Sequence, residues 1–334
     1  MKNYMKKITG MNPQQAAGDF ALRFAGLFNL PIPLRFALGV GVSQIITAVL
    51  LLLIIATLPV TIRAEEQKPV DPEQKTVEQK QEADKVTGEV AASVLSAYIW
   101  RGQELSRHSV VIQPSATVSY RGFTANIWGN LDTRPYNVGD EQYSSNFTET
   151  DVTLSYSRKF GIVQVGAGYI YYGLASSTPG GTDLPDSQEI FVTLGLDTIL
   201  APTLTVYKEI DHYRQWYATL GVSHTFTLHE KVGLKLAATA SYLLSTDETT
   251  YPKFDGDSLA TTDKFNNLHD GIVSISLPVN VISSLAVIPT VSYVFPLSDD
   301  AKYEMRARGL QGAANPSDKD FSYLYGGVTL SYTF

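Results

Sequence analysis

The last twelve residues, Tyr323-Leu-Tyr-Gly-Gly-Val-Thr-Leu-Ser-Tyr-Thr-Phe334, alternate in polarity up to a terminal aromatic. Leu324, Val328, Leu330, Tyr332 and Phe334 share one face of a strand, and Tyr325, Thr329, Ser331 and Thr333 share the other. That period of two marks a two-faced β-strand. An aromatic closing such a strand is the pattern of the last strand of a bacterial outer-membrane barrel. The expected class is therefore all-β: a transmembrane antiparallel up-and-down β-barrel of about 12 strands, with both ends periplasmic.

The rest of the chain fits that expectation from Val90 onward. Segments of about ten residues alternate in character, as they must when one face meets lipid and the other a lumen. Twelve are predicted, near Val90–Arg101, Val110–Tyr120, Phe123–Leu131, Thr150–Arg158, Ile162–Tyr172, Gln188–Ile199, Thr203–Lys208, Gln215–Leu228, Val232–Leu244, Gly271–Val281, Leu285–Phe295 and Tyr323–Phe334. Every second connection is tight, from Arg121-Gly122 to Ile282-Ser-Ser284, whereas Thr133–Glu149, Gly173–Ser187, Ser245–Asp270 and Pro296–Ser322 are long and polar. Sorting of short turns to one end and long loops to the other is a barrel property that a β-sandwich has no reason to share.

Faces can be assigned strand by strand. Ile190, Val192, Leu194 and Leu196 are expected toward lipid, with Phe191, Thr193, Gly195 and Asp197 inward. Leu285, Val287, Pro289, Val291, Tyr293 and Phe295 form a second outer set, opposite Thr290 and Ser292. His224 shares its face with Leu220, Val222 and Phe226, which suits lipid only near the interface. Pro114, Pro278 and Pro289 cannot donate to a ladder and are expected at bulges. The nineteen tyrosines suit aromatic girdles at the membrane surfaces.

The N-terminal third of the organisation is not barrel. Gly39–Val60 is an uncharged run of 22 residues preceded by Lys2, Lys6, Lys7, Arg23 and Arg35. A basic start, an apolar stretch and Ala64 ahead of Glu65 read as an export signal over residues 1–64, cleaved near Ala64. A permanent membrane helix is the competing reading, since the run could span a bilayer. Glu65–Glu89, rich in Glu, Gln and Lys, is expected to be a flexible periplasmic linker, leaving residues 90–334 as the barrel. Removing residues 1–64 takes away six basic residues and one acid, so 20 basic face 32 acidic residues and the net charge is −12. A chain so acidic is not expected to bind nucleic acid. With no cysteine, thiolate chemistry and disulfides are excluded.

Ser96-Ala-Tyr-Ile-Trp-Arg-Gly102 resembles the opening motif of the TorF-like porin family. Gly122-Phe-Thr-Ala-Asn-Ile-Trp-Gly-Asn-Leu-Asp132, Glu149-Thr-Asp151 and Gly166-Ala-Gly-Tyr-Ile-Tyr-Tyr172 continue the resemblance, which runs from about Ser93 to Phe334. Gly173-Leu174 stands where the family tends to have Tyr-Pro. The resemblance implies a porin-like outer-membrane barrel, and it brings no assigned substrate and no catalytic residue.

Twelve strands enclose a lumen wider than a packed eight-stranded barrel and narrower than an open sixteen-stranded porin. Arg101, Asn126, Trp128, Asp132, Asp151, Gln164, Asp197 and Lys235 are the inward candidates for lining a pore, where charged side chains set selectivity. The competing reading is that these groups pair across the lumen and plug it. Three pairs could support hydrolysis at the rim, namely Asp211-His212, His108-Ser109 and His269-Asp270. Neighbours on a strand point to opposite faces, so none of the three is expected to be a preassembled dyad. Asp247-Glu248 and Asp255-Gly-Asp257 lack the calcium-loop spacing. The expected function is passive diffusion of small hydrophilic solutes or ions, without cofactor, metal or catalysis. A plugged barrel acting as a receptor or adhesin through its loops is the alternative, and a rim hydrolase a further one. The expected partners are outer-membrane lipid, lipopolysaccharide and, through Phe334, the barrel-assembly machinery.

Overall fold

The computed structural model describes residues 85–106, 109–135, 145–176, 183–308 and 320–334. The expected signal and most of the expected linker lie outside these residues. The elements in chain order are β1 (Thr87–Leu95), β2 (Ile99–Trp100), β3 (Gln103–Glu104), β4 (Val111–Tyr120), β5 (Phe123–Asp132), β6 (Asn146–Phe160), β7 (Val163–Leu174), β8 (Ser187–Leu196) and β9 (Thr203–Glu209). There follow β10 (Gln215–His229), β11 (Val232–Ser245), β12 (Pro252–Phe254), β13 (Ala260–Lys264), β14 (Asn266–Ser276), β15 (Val279–Ile282), β16 (Leu285–Pro296), helix α1 (Asp299–Arg308) and β17 (Tyr323–Thr333).

One antiparallel sheet runs β10-β9-β8-β7-β6-β5-β4-β1-β17-β16-β14-β11 and closes through β10–β11. Since β15 continues β14, this is a closed barrel of twelve strands. Closure leaves no strand edge, the condition for a sheet to stand in hydrocarbon, where an unpaired backbone N–H or C=O has no water to turn to. The seam joins first strand to last, from Glu89 opposite Thr333 to Leu95 opposite Gly327. Gly88 and Phe334 exchange backbone bonds of 2.9 and 3.0 Å. The seam is close-fitting, for a Cβ on Gly327 would stand 1.9 Å from the Val94 carbonyl oxygen. The ladder thus begins at Thr87, so the last three residues of the expected linker pair with β4, and Glu89 with β17 as well.

All twelve expected strands are present, though the first leaves the wall at Leu95, short of its expected end at Arg101. Ile190, Val192, Leu194 and Leu196 are exposed on the outside, as are Leu220, Val222, Leu330 and Phe334. His224 is outward as well, and its Nδ1 reaches the Ile199 carbonyl at 2.8 Å in a short turn. That places it at the barrel's end, where an imidazole need not enter hydrocarbon. The inner wall between the inserts and the short turns carries small hydroxyls that satisfy one another across strands. Ser93–Thr329 and Ser274–Ser292 are each 2.8 Å apart, and Thr193–Thr205 3.1 Å.

The prolines correct the sequence expectation. Ser276 pairs with Thr290 and Val279 with Val287, so the register passes through Leu277-Pro278 and Ile288-Pro289 unshifted. Pro114 pairs with Ala92 in an unshifted ladder with β1. Each proline deletes a donor without adding a residue, so pairing is interrupted and the count on the two strands stays equal. The bulges fall elsewhere: Thr148-Glu149 on β6 sits where β5 shifts between Asn130 and Leu131, and His269-Asp270 on β14 sits opposite Ser241.

The two ends differ as expected. Arg121 and Gly122, with φ of 50° and 87°, form a two-residue turn in which both residues are left-handed. At the other end the connections carry their own structure: the β2–β3 hairpin, the β12–β13 hairpin and α1.

Candidate functional site

The β2–β3 hairpin is folded within the ring of strands. It turns on Arg101 and Gly102, whose φ of 46° and 73° suit a type I′ turn. Gly102 is also held by space, because a Cβ there would lie 2.9 Å from the Met305 side chain. The turn aims the Arg101 guanidinium at the wall, where Nη1 and Nη2 donate to the two oxygens of Glu189 at 2.8 and 2.6 Å. The same guanidinium stacks on Trp100, Tyr207 and Tyr217 at 4.5, 5.2 and 4.2 Å. Burial alone would lower its affinity for a proton, but Glu189 holds it above the ordinary arginine value. A buried guanidinium of this kind is tolerated only with such a bidentate partner.

The hairpin touches other strands too. Tyr98 donates to Glu149 Oε2 at 2.9 Å and packs on Trp128 with ring centres 5.6 Å apart. Trp100 meets Tyr172 edge-on at 6.2 Å, and Tyr172 donates to Glu189 Oε2 at 2.9 Å.

Helix α1 forms a second insert. Ser298 caps it, accepting from the Ala301 N–H at 3.1 Å, while Asp299 and Asp300 sit in its first turn and Arg306 and Arg308 in its last, matching the helix dipole. Its Glu304 is fully buried. The carboxylate meets His269 Nε2 at 2.8 Å, accepts from Gln103 Nε2 at 3.1 Å and Tyr251 OH at 2.6 Å, and lies 3.2 Å from Arg308 Nε. Burial would raise its proton affinity, but His269 and Arg308 hold it below the usual carboxylate range.

His269 overturns the expectation that no adjacent pair forms a dyad. The bulge on β14 turns both His269 and Asp270 inward, and His269 Nδ1 meets Asp270 Oδ1 at 2.8 Å. Tyr217 and Ser241 donate to the same Asp270 oxygen at 2.7 Å each. Strand alternation is a rule for regular ladders, and the extra residue suspends it. Both ring nitrogens are engaged and His269 is 0 % exposed, so the group is a clasp between wall and helix. Asp211 and His212 also meet, at 3.3 Å on an exposed loop. His108 lies outside the described residues.

The eight expected lining residues divide into two groups. At the loop end, Arg101 is on the hairpin and not on the wall, Trp128 packs on Tyr98, and Asp132 accepts from Ser109 and from the Arg134 N–H. Asp151 stands beside Glu149. Nearer the short turns, Asn126 donates to Thr117 Oγ1 at 2.8 Å, Asp197 is paired with Lys159, and Gln164 and Lys235 are exposed. The structure therefore does not bring the eight into one ring. Glu189, Glu304, Tyr217 and Arg308 were not read from the sequence as site residues, though Ser298 and the acidic-to-basic run Asp299–Arg308 are a helix signal that the loop assignment passed over. The expected acidic loop is locally satisfied, with Asp247 paired to Arg214 at 3.2 Å and Asp255 accepting from the Asp257 and Leu259 N–H groups.

Above the clasp, at the loop end, lies a cavity of about 450 Å³. Tyr98, Trp100, Tyr172, Tyr213 and Tyr251 supply aromatic walls, and Gln215, Glu149 and Arg308 polar ones. Arg308 stacks on Tyr251 at 3.7 Å.

A closed twelve-stranded barrel with an apolar exterior and a polar interior is a transmembrane β-barrel of the bacterial outer-membrane class. No family model matches the chain, and no curated protein matches it. Among solved structures it is similar to the NanC porin, at 11% identity over 73% of this chain and 98% of that one, with a TM-score of 0.44. It is also similar to LpxR from Salmonella typhimurium, at 10% identity over 74% and 100% with a TM-score of 0.41. A third is the translocator domain of the autotransporter NalP from Neisseria meningitidis, at 10% identity over 78% and 94% with a TM-score of 0.34. All are outer-membrane barrels, and likenesses this distant leave the role of this chain to its own residues.

Proposed function

We propose that the protein is a plugged outer-membrane barrel that captures small solutes at its outer face. In this reading the short turns face the periplasm, the exported chain loses residues 1–64, and the β2–β3 hairpin and α1 close the lumen at the loop end. The carrying observation is the pair of buried clasps, Arg101 to Glu189 and Glu304 to His269, that tie the inserts to the wall. Buried charges so paired are costly to separate, about 3–5 kcal/mol for removal of one partner. The clasp reading also favours a non-enzymatic role, since neither nitrogen of His269 is left to take a proton from substrate. The TorF-like resemblance belongs to the same reading on the motifs Ser96–Gly102 and Gly122–Asp132.

One observation favours a channel for small hydrophilic solutes as the second reading. The lumen between the inserts and the short turns is lined by small hydroxyls, with Gln164, Lys159, Asp197 and Lys235 exposed beside the short turns. Passage would then require the inserts to leave. Single-channel recording of the purified protein in planar bilayers separates the two. The plugged reading expects a silent, heat-modifiable barrel. Steady stepwise conductance in the wild type, with an ion preference that shifts in Lys235→Gln, would refute it and establish the channel.

A further inference from the structure

We propose that the aromatic cavity at the loop end is a binding site for a small neutral saccharide. The inference rests on the plugged reading, in which the inserts give the cavity a fixed floor. Its volume, about 450 Å³, falls among small-molecule sites, which span roughly 300–1,000 Å³. Three further observations narrow the occupant.

The first is an unsatisfied acceptor. Gln215 lines the cavity and is only 2% exposed, yet its Oε1 has no hydrogen-bond partner. A buried carbonyl left without a donor is a standing cost, and a ligand hydroxyl or N–H removes it. The second is the wall. Tyr98, Trp100, Tyr172, Tyr213 and Tyr251 come from the hairpin, β7 and two separate loops, and together give flat apolar faces beside polar edges. A sugar ring has that character: an apolar C–H face and a rim of hydroxyls. The third is the charge balance. Arg308 is paired with Glu304, Arg101 with Glu189, and Glu149 accepts from Tyr98. The ring faces of Tyr251 and Trp100 already hold Arg308 and Arg101. An added cation would meet those arginines where a cation–π site would otherwise lie. An added anion would meet Glu149 and find both arginines already paired. A neutral, hydroxyl-rich ligand meets neither penalty.

The test is isothermal titration of the full-length protein, purified in a detergent without a sugar headgroup. The saccharide probes are glucose, N-acetylglucosamine and lactose, and the controls are indole, tetramethylammonium and benzoate. Saturable binding of at least one saccharide is expected, weakened about tenfold in Gln215→Leu by loss of one hydrogen bond. Tyr213→Ala, at a loop position that takes no part in the clasp hydrogen bonds, is expected to weaken it as well and serves if Gln215→Leu does not fold. Binding of none of the saccharides, binding of the controls alone, or saccharide binding untouched by both variants would overturn the inference. The two readings fail separately. A bilayer-silent barrel that takes up no saccharide defeats this inference alone, whereas an open wild-type pore defeats the plugged reading whatever the titration gives.

Discussion

Replacing Glu304 by Gln tests whether the helix clasp keeps the lumen shut. The carboxylate is buried with four partners, His269, Gln103, Tyr251 and Arg308. Removing one member of a buried ion pair costs about 3–5 kcal/mol. The lower end applies here for three reasons. The amide keeps the shape and an oxygen for Tyr251. His269 retains Asp270 at 2.8 Å. Arg308 retains the Thr250 carbonyl at 3.1 Å. About 3 kcal/mol corresponds to roughly a hundredfold change in the open-to-closed ratio, at about 1.4 kcal/mol per factor of ten. The barrel should be unaffected, because Glu304 takes no part in the strand ladder. Bilayer recordings of Glu304→Gln should therefore show a hundredfold rise in open time, with heat-modifiable migration unchanged. Asp299→Asn, at an exposed position on the same helix, should leave the recordings as in the wild type. A Glu304→Gln barrel as silent as the wild type would refute the clasp as the element that holds α1 in the lumen.

Arg101→Lys keeps the charge but loses the two-point contact with Glu189 and the stacking on Trp100 and Tyr217. It should lower stability by about 2–3 kcal/mol and increase proteolysis of the hairpin, measured as the rate of cleavage by added protease. Gly327→Val should prevent barrel closure, since even a Cβ would lie 1.9 Å from the Val94 carbonyl oxygen, and the variant should appear only as the unshifted band on unheated gels. On acidification, a carboxyl held below its ordinary value of 4.5 contributes fully above that value and loses its contribution as pH falls through the lower, folded-state value. Recordings at stepped pH should thus stay silent through weakly acidic conditions, with openings appearing only below about pH 4.5; openings that begin near neutrality would assign the clasp to another group.

Strand number, strand faces and the sorting of connections were legible because each rests on a repeated local pattern. Period-two polarity in β8 or β17 needs no knowledge of any other part of the chain. The contents of the lumen were not legible, and the reasons are specific. Ile99-Trp-Arg101 reads as the top of the first strand, because the β-prone run Tyr98-Ile-Trp100 carries no turn residue before Gly102. Only the left-handed φ of Arg101, unusual for a residue with a Cβ, reveals that the chain has turned back. Glu304 lies on a helix with little apolar character, so no amphipathic face advertised its burial. The inward doublet His269-Asp270 depends on one extra residue relative to β11, a count that the sequence of β14 alone does not contain.

The same geometry explains why wall and inserts belong together. A regular strand turns only every second residue inward, and bulges lift that limit at the level where the inserts dock. The wall there gathers Glu149, Asp151, Glu189, Glu209 and Asp270. Glu209 is answered by three backbone N–H groups of its own loop. Glu189 is answered by Arg101 from the hairpin, and Asp270 by His269, whose other nitrogen engages Glu304 from the helix. An insert lacking Arg101 would leave Glu189 buried against aromatic rings with only the Tyr172 hydroxyl as donor, and a wall lacking Glu189 would leave the guanidinium equally stranded. Neither half is stable alone in that state, so the closed arrangement is built into the charges of both. Opening the lumen must therefore bring water to these groups at the moment the inserts leave.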